Sequence, residues 1–265
     1  MADLRFGTFL APNIMPIYEA VTEAVGSRLG LTTELVVETS YDSCVEDVND
    51  VCFVCSLPYV MFERQGLSPA VPVAAPVLAG RRYRGRPVYF SDVIVPTASD
   101  AESFHDLRGR SWAFNEPLSH SGYGITRFHL VTLGETSGFF GEVIEAGFHE
   151  TAIEMVRTGN VDGSAIDSQV LAVALRDDPT LHDEIRIVDV LGPSTIQPVA
   201  ISRRISRDIQ AAIVEVLTSL HRRPETRRQL ARGLVDRFVE VGPDSYDDIR
   251  HMVDLCEAAG FMELR

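Results

Sequence analysis

Residues 4–56 read LRFGTFLAPNIMPIYEAVTEAVGSRLGLTTELVVETSYDSCVEDVNDVCFVCS. The run LRFGTFL at 4–10 alternates in the manner of a strand. APNIMPIYEAVTEAVGSRLGL follows with apolar residues at helical spacing; Pro12 and Pro16 punctuate its start, and Gly30 suits a C-terminal cap. TTELVVET at 32–39 predicts a second strand, SYDSCVEDVND a short helix or turn, and VCFVCS at 51–56 a third strand. The order βαβαβ specifies a parallel sheet covered by helices.

Composition bounds the rest. The chain has 265 residues, 45% of them hydrophobic, enough for one large domain or two lobes. Its formal net charge of −14 argues against nucleic acid or an anionic membrane as partner, so any anion must be held by local groups. All 24 basic residues are arginine, which removes Schiff-base chemistry and the phosphate-binding lysine of nucleotide loops. Cys52 and Cys55 form C-x-x-C in an apolar, strand-like run with no second pair, which favours buried structural thiols over zinc or redox chemistry. The start MADLRFGTFLAPN carries no leader pattern, and no stretch of 18 apolar residues exists. The expected location is therefore cytoplasmic as the sequence stands, or periplasmic or extracellular if a leader precedes it.

Further along, AVPVAAPVLAG and PVYFSDVIVP predict two strands, the second long enough to cross between lobes. SFHDLRGRSWAFNE gives a helical turn, a tight turn at Arg108-Gly109 and a strand at 111–114. ETSGFFGEVIEAGF reads as a helix running into a strand, HETAIEMVRTG as a helix ended by Gly159, VDGSAID as a strand and SQVLAVALRDD as a helix. IRIVDVLG and QPVAISRRI are strands; from SRDIQAAIVEVLTSL onward the chain reads as helical, with Arg222, Arg223, Arg227, Arg228 and Arg232 on a solvated face.

In open α/β sheets ligands sit beyond the carboxyl ends of strands, against helix N-termini, so strand-to-helix turns are the candidate sites. In EPLSHSGYGITRFHL, at 116–130, Ser119, His120, Ser121 and Gly122 stand where a helix begins. The serines suit either a helix cap or, with the free N–H groups of the first turn, an anion cradle in which Gly122 admits an oxyanion to the backbone. His149 and Glu150 open another helix, and Asp167 sits at a third such turn, as an N-cap or a site residue. Tyr59, Tyr89 and Ser91 end or line strands, and such tyrosines pack as often as they bind. HETAI lacks the second histidine of a zinc protease, and no nucleophile elbow or dinucleotide-binding glycine motif occurs.

In order, these turns resemble the phosphate/phosphite/phosphonate-binding family of ABC-transporter solute receptors, most densely in DLRGRSWAFNEPLSHSGYGITRFHL, GFHETAIEMVRTGNVDGSAIDS and VLGPSTIQPVAIS. The resemblance implies an α/β, two-lobed type II periplasmic-binding-protein fold. Each lobe would be a mixed sheet flanked by helices, with a cleft between lobes. Lobe one would span 1–93 and 199–265, and lobe two 97–195. It further implies a non-catalytic protein that binds a small oxyanion through Ser119, His120, Ser121, Gly122 and Tyr123, with Tyr59, Tyr89, Ser91, His149 and Asp167 closing on it. No cofactor or metal is expected. The implied partners are the anion and an ABC transporter permease, for a monomer or weak dimer with no nucleic-acid or membrane-inserting role.

Two departures bear on the ligand. Gln197 stands before Pro198, where aminoalkylphosphonate receptors of the family carry an acid, which disfavours an aminoalkyl tail. His120 replaces the usual hydroxyl residue, and a histidine titrating near neutrality would make binding pH-dependent. The alternatives on the same fold are a cytosolic enzyme of menaquinone- or thiamine-precursor type, with His120, His149 or Asp167 as acid–base groups, or a ligand sensor.

Overall fold

A computed structural model describes residues 2–68 and 70–264. In chain order its strands and helices begin with β1 (Leu4–Thr8), α1 (Met15–Leu29), β2 (Thr33–Val37), α2 (Asp42–Val45), β3 (Val51–Phe53), α3 (Ser56–Arg64) and β4 (Ala70–Leu78). Next come β5 (Val88–Pro96), β6 (Ser111–Phe114), α4 (Ile125–Thr132), β7 (Glu142–Glu145), α5 (His149–Arg157), β8 (Gly163–Asp167), α6 (Ser168–Asp177), α7 (Leu181–Glu184) and β9 (Ile185–Thr195). The chain finishes with β10 (Val199–Ser202), α8 (Arg207–Ser219), α9 (Pro224–Arg232), β11 (Val235–Glu240) and α10 (Asp247–Ala258).

Two compact units result: Met1–Val88 with Thr195–Asp247, and Tyr89–Ser194 with Asp248–Arg265. The first holds a six-stranded sheet in the order β11-β4-β10-β3-β1-β2. Its β1, β2 and β3 run parallel, as the βαβαβ order requires, and β10 joins antiparallel between β3 and β4. α1 ends at Gly30 with φ 68°, a left-handed cap that glycine adopts without strain. Its buried residues Ile17, Tyr18, Val21 and Val25 form the apolar stripe, and the Tyr18 ring meets Phe53 of β3 at 4.5 Å.

The second unit holds a five-stranded sheet, β7-β6-β8-β5-β9. Parallel pairing of β6 with β7 and β8 points three strand ends in one direction, and β5 lies antiparallel to β8. Its core is aromatic: Trp112 stacks on Phe140 at 4.6 Å, and Phe104 stacks on Phe139 at 5.3 Å.

Three segments differ from the sequence reading. Residues 135–141 form no helix, because Phe139 and Phe140 both turn into the core and the segment bonds to the turn before β6. Gly109 N donates to Phe139 O and Gly141 N to Arg110 O, each at 2.8 Å. The C-terminal region is not all helical: VDRFVE forms β11, an antiparallel partner of β4 with Val235 and Phe238 buried. The last stretch packs with the second unit rather than continuing the return segment 199–265, since Phe261 and Leu264 lie in the same cluster as Trp112 and Phe104.

Cys52, in β3, and Cys55, the residue that caps α3, are both buried. The five arginines at 222–232 are exposed. Among the described residues no helix is long and apolar enough to cross a membrane.

Candidate functional site

The carboxyl end of β6 leads through Asn115–Leu118 into Ser119, the cap of a five-residue π-helical turn, His120–Gly124, that runs on into α4. Gly124 N donates to Ser119 O at 2.9 Å, the wide spacing of a π turn, a local form that recurs at functional sites. Ser119 does cap the helix, since its Oγ accepts from Gly122 N at 3.2 Å. The same Oγ lies 3.4 Å from Ser121 Oγ. Cap and hydroxyl cluster are thus one structure, with an accepting lone pair of Ser119 used by the helix and its O–H left to point elsewhere.

α5 follows β7, the parallel neighbour of β6, so the turn after β6 and the start of α5 leave adjacent strands. His149, the first residue of α5, places Nε2 2.8 Å from Ser121 Oγ. His120 turns the other way, with Nε2 2.9 Å from Ser194 Oγ at the end of β9. Both rings are buried. Burial pushes the His149 pKa down to about 4. Burial and the Arg127 charge push His120 down to about 3. Each imidazole is therefore neutral at pH 7, with one N–H and one lone pair. The expected titration of His120 near neutrality does not hold, because desolvation disfavours its charged form.

Packing gives Gly122 a reason that its sequence did not suggest. A Cβ there would overlap the Asn115 carboxamide, whose Cγ would lie 3.1 Å away. The space beside the glycine belongs to Asn115, and Asn115 Oδ1 has no partner among the described residues.

The remaining candidates fall in three places. The buried Tyr89 ring lies 6.3 Å from the His120 ring, near the turn. Ser91 and Asp167 face each other in the β5–β8 register. Asp167 Oδ1 accepts from Gln169 N at 2.7 Å and Val170 N at 3.4 Å, so it caps α6. Tyr123 is a core residue: its ring is 4.9 Å from Phe114 and its hydroxyl accepts from Leu264 N at 3.4 Å. Tyr59 belongs to the other unit, where it donates to Glu63 Oε1 at 3.1 Å and meets Tyr246 edge-on.

Ser194, Asn115 and Arg127 were not singled out from the sequence. Ser194 carries a usable signal, since it ends a strand inside VLGPSTIQPVAIS. Asn115 had only its place after a strand, and Arg127 gave no sign that it would be buried.

The site offers hydroxyls, neutral imidazoles and a helical N-terminus in a region shielded from water. Such donors make strong, charge-assisted bonds to an oxyanion. The Ser121–His149 distance also fits a nucleophile and base. Yet His149 Nδ1 has no partner among the described residues, so no carboxylate orients the ring. A base with a pKa of about 4 is also poorly matched to work near pH 7.

Comparison with known families decides the membership. Residues 8–246 match the family described as ABC transporter, phosphonate, periplasmic substrate-binding protein. The chain belongs to this phosphonate-binding family of solute receptors. Three solved structures share its type II periplasmic-binding-protein fold. A Prochlorococcus marinus protein in complex with methylphosphonate is similar at TM-score 0.83 and 14% identity, covering 97% of this chain and 98% of that one. A binding component of a Pseudomonas aeruginosa ABC phosphonate transporter matches at 0.81 and 16%, covering 94% and 85%. The periplasmic aliphatic sulphonate binding protein of Escherichia coli matches at 0.66 and 16%, covering 97% and 87%. The family binds solutes and is not a family of enzymes.

Proposed function

We propose that this receptor binds a small phosphonate-like oxyanion, without chemistry, on the turn that joins β6 to α4. Ser119 and Ser121 donate through their hydroxyls, and His149 donates through Nε2–H to Ser121 Oγ, which frees the serine proton for the anion. His120 and Ser194 brace the opposite side of the turn, and Tyr89 packs beside it. The observation that carries the reading is the 2.8 Å Ser121–His149 contact beside the Ser119 cap, two neighbouring hydroxyls at one helix start with a neutral imidazole held against one of them.

The ligand's other end carries no ammonium on this reading. Gln197 stands before Pro198, where aminoalkylphosphonate receptors of the family carry an acid, so the chain offers no carboxylate at that position to pair with an ammonium. Phosphate, phosphite, methylphosphonate and alkyl sulfonates fit; aminoethylphosphonate does not. Delivery to an ABC permease outside the cytoplasm follows the family's role.

A thermal-shift screen with phosphate, phosphite, methylphosphonate, aminoethylphosphonate and sulfate tests this. Binding to the folded state raises the melting temperature once ligand exceeds its dissociation constant. A shift with one of the small oxyanions and none with aminoethylphosphonate is expected. No shift with any of the five, alongside a shift with a nucleoside or aromatic acid, sinks the reading.

A further inference from the structure

Arg127 lies on α4, seven residues beyond His120 and four beyond Tyr123, and is only 5% exposed. Its guanidinium carbon sits 5.0 Å above the Tyr123 ring, Nη1 donates to Met262 O at 2.5 Å, and Nε has no partner among the described residues. The ion-paired arginines are different. Arg5, Arg108, Arg110, Arg157, Arg176, Arg204 and Arg237 each meet a carboxylate, and their side chains are between 29% and 50% exposed. Arg127 has no carboxylate within ion-pair distance among the described residues. Shortage of acids is not the reason, since the chain carries 38 Asp and Glu against 24 basic residues.

A buried cation without a counter-ion is expensive, and one ring face plus one carbonyl compensate it only in part. Arg127 stands in the first turn of α4, directly after the π turn that carries Ser121, and its guanidinium reaches back over Tyr123 of that turn. We propose that Arg127 is the counter-charge of the bound oxyanion, a fixed positive charge set one layer behind the hydroxyl cradle that holds the anion by its field rather than by contact. This rests on the oxyanion reading of the cradle. It explains how a protein of net charge −14 attracts an anion to a site whose touching groups are all neutral. It also implies that the site prefers the more highly charged form of its ligand. The field of Arg127 already acts on the turn, where it helps to keep His120 neutral.

The alternative role is a tie to the C-terminal segment through Met262 O, and the test separates the two. Methylphosphonate binding is measured by calorimetry for the wild type, R127M, R127Q and R127K, with the melting temperature of each unliganded protein. Both neutral variants are expected to bind roughly tenfold or more weakly, and R127K to stay within about threefold of wild type. R127M or R127Q binding within twofold of wild type overturns the proposal. So does R127K falling as far as the neutral variants, because the loss then follows the tail contact and not the charge. If the neutral variants do not fold, the wild type alone decides. Its affinity must rise as methylphosphonate loses its second proton, over a range in which His120 and His149 stay neutral. An affinity indifferent to that proton removes the counter-charge while leaving the cradle. Failure of the wild type to bind any small oxyanion removes both.

Discussion

Ser121 Oγ and His149 Nε2 stand 2.8 Å apart although 28 residues separate them in the chain. Parallel pairing of β6 with β7 makes this possible. Each strand ends by launching a helix, and side chains at two neighbouring helix starts meet. A neutral imidazole beside a serine hydroxyl orients that hydroxyl, and an oriented donor loses little entropy when an anion arrives.

Removing either partner exposes that function. Ser121→Ala should weaken methylphosphonate binding by about 1–3 kcal/mol, the worth of a hydrogen bond to a charged group. His149→Ala should weaken it by a similar amount, and the double variant by less than the sum, because the two act as one donor chain. Calorimetric titration of the four proteins checks this; strict additivity would show that the contact plays no part in binding.

The two histidines also set an acid limit on stability. Their folded pKa values, about 3 for His120 and about 4 for His149, lie below the unfolded value near 6.5. Between these values the unfolded chain binds protons that the folded protein refuses. Stability contributed by the neutral rings is therefore complete above about pH 6.5 and is lost as pH falls toward 4 and then 3, by an amount on the order of several kcal/mol. Urea unfolding of the unliganded protein from pH 7 to 4.5 should give a falling free energy, and His149→Gln should flatten the slope. An unchanged slope would contradict the burial that lowers its pKa.

Gly122 is fixed by a neighbour. Gly122→Ala should destabilise the protein by about 1–3 kcal/mol, since the new methyl overlaps the Asn115 carboxamide. Asn115→Ala should recover part of that loss in the double variant. A double-mutant cycle on urea midpoints measures the coupling, and a coupling of zero would mean that some other group opposes the methyl.

The aromatic stack beneath the site has its own reporter. Trp112 is the sole tryptophan of the chain, fully buried and stacked on Phe140. Phe140→Ala should cost about 3–5 kcal/mol and lower the unfolding midpoint seen by tryptophan emission. Emission that already resembles exposed tryptophan in the native wild type would rule out this packing.

Local physics made much of this molecule legible in advance. Alternation and helical spacing marked β1, α1, β2 and β3, whose connections allow only a parallel sheet. Ser119 and Asp167 were readable as caps because a capping side chain bonds to N–H groups two or three residues away. The strand β11 was missed even though VDRFVE alternates, since the arginine-rich helix before it suggested that helix continued. The aromatic pair at 139–140 reads equally well as a helix face until Trp112 and Phe104 are in place to receive it.

The sequence by itself determined the opening order of β1, α1, β2 and β3, the turn on which Ser119–Gly122 sits and, through the order of such turns, the family. Only the tertiary structure decided how the site works. It paired Ser121 with His149 and His120 with Ser194, moved the C-terminal segment into the second unit, gave the space beside Gly122 to Asn115 and buried Arg127 without a counter-charge. The reason is range. Backbone preference and capping act within a few residues, whereas the protonation of a buried histidine and the partner of a buried charge are set by whatever distant segments enclose them.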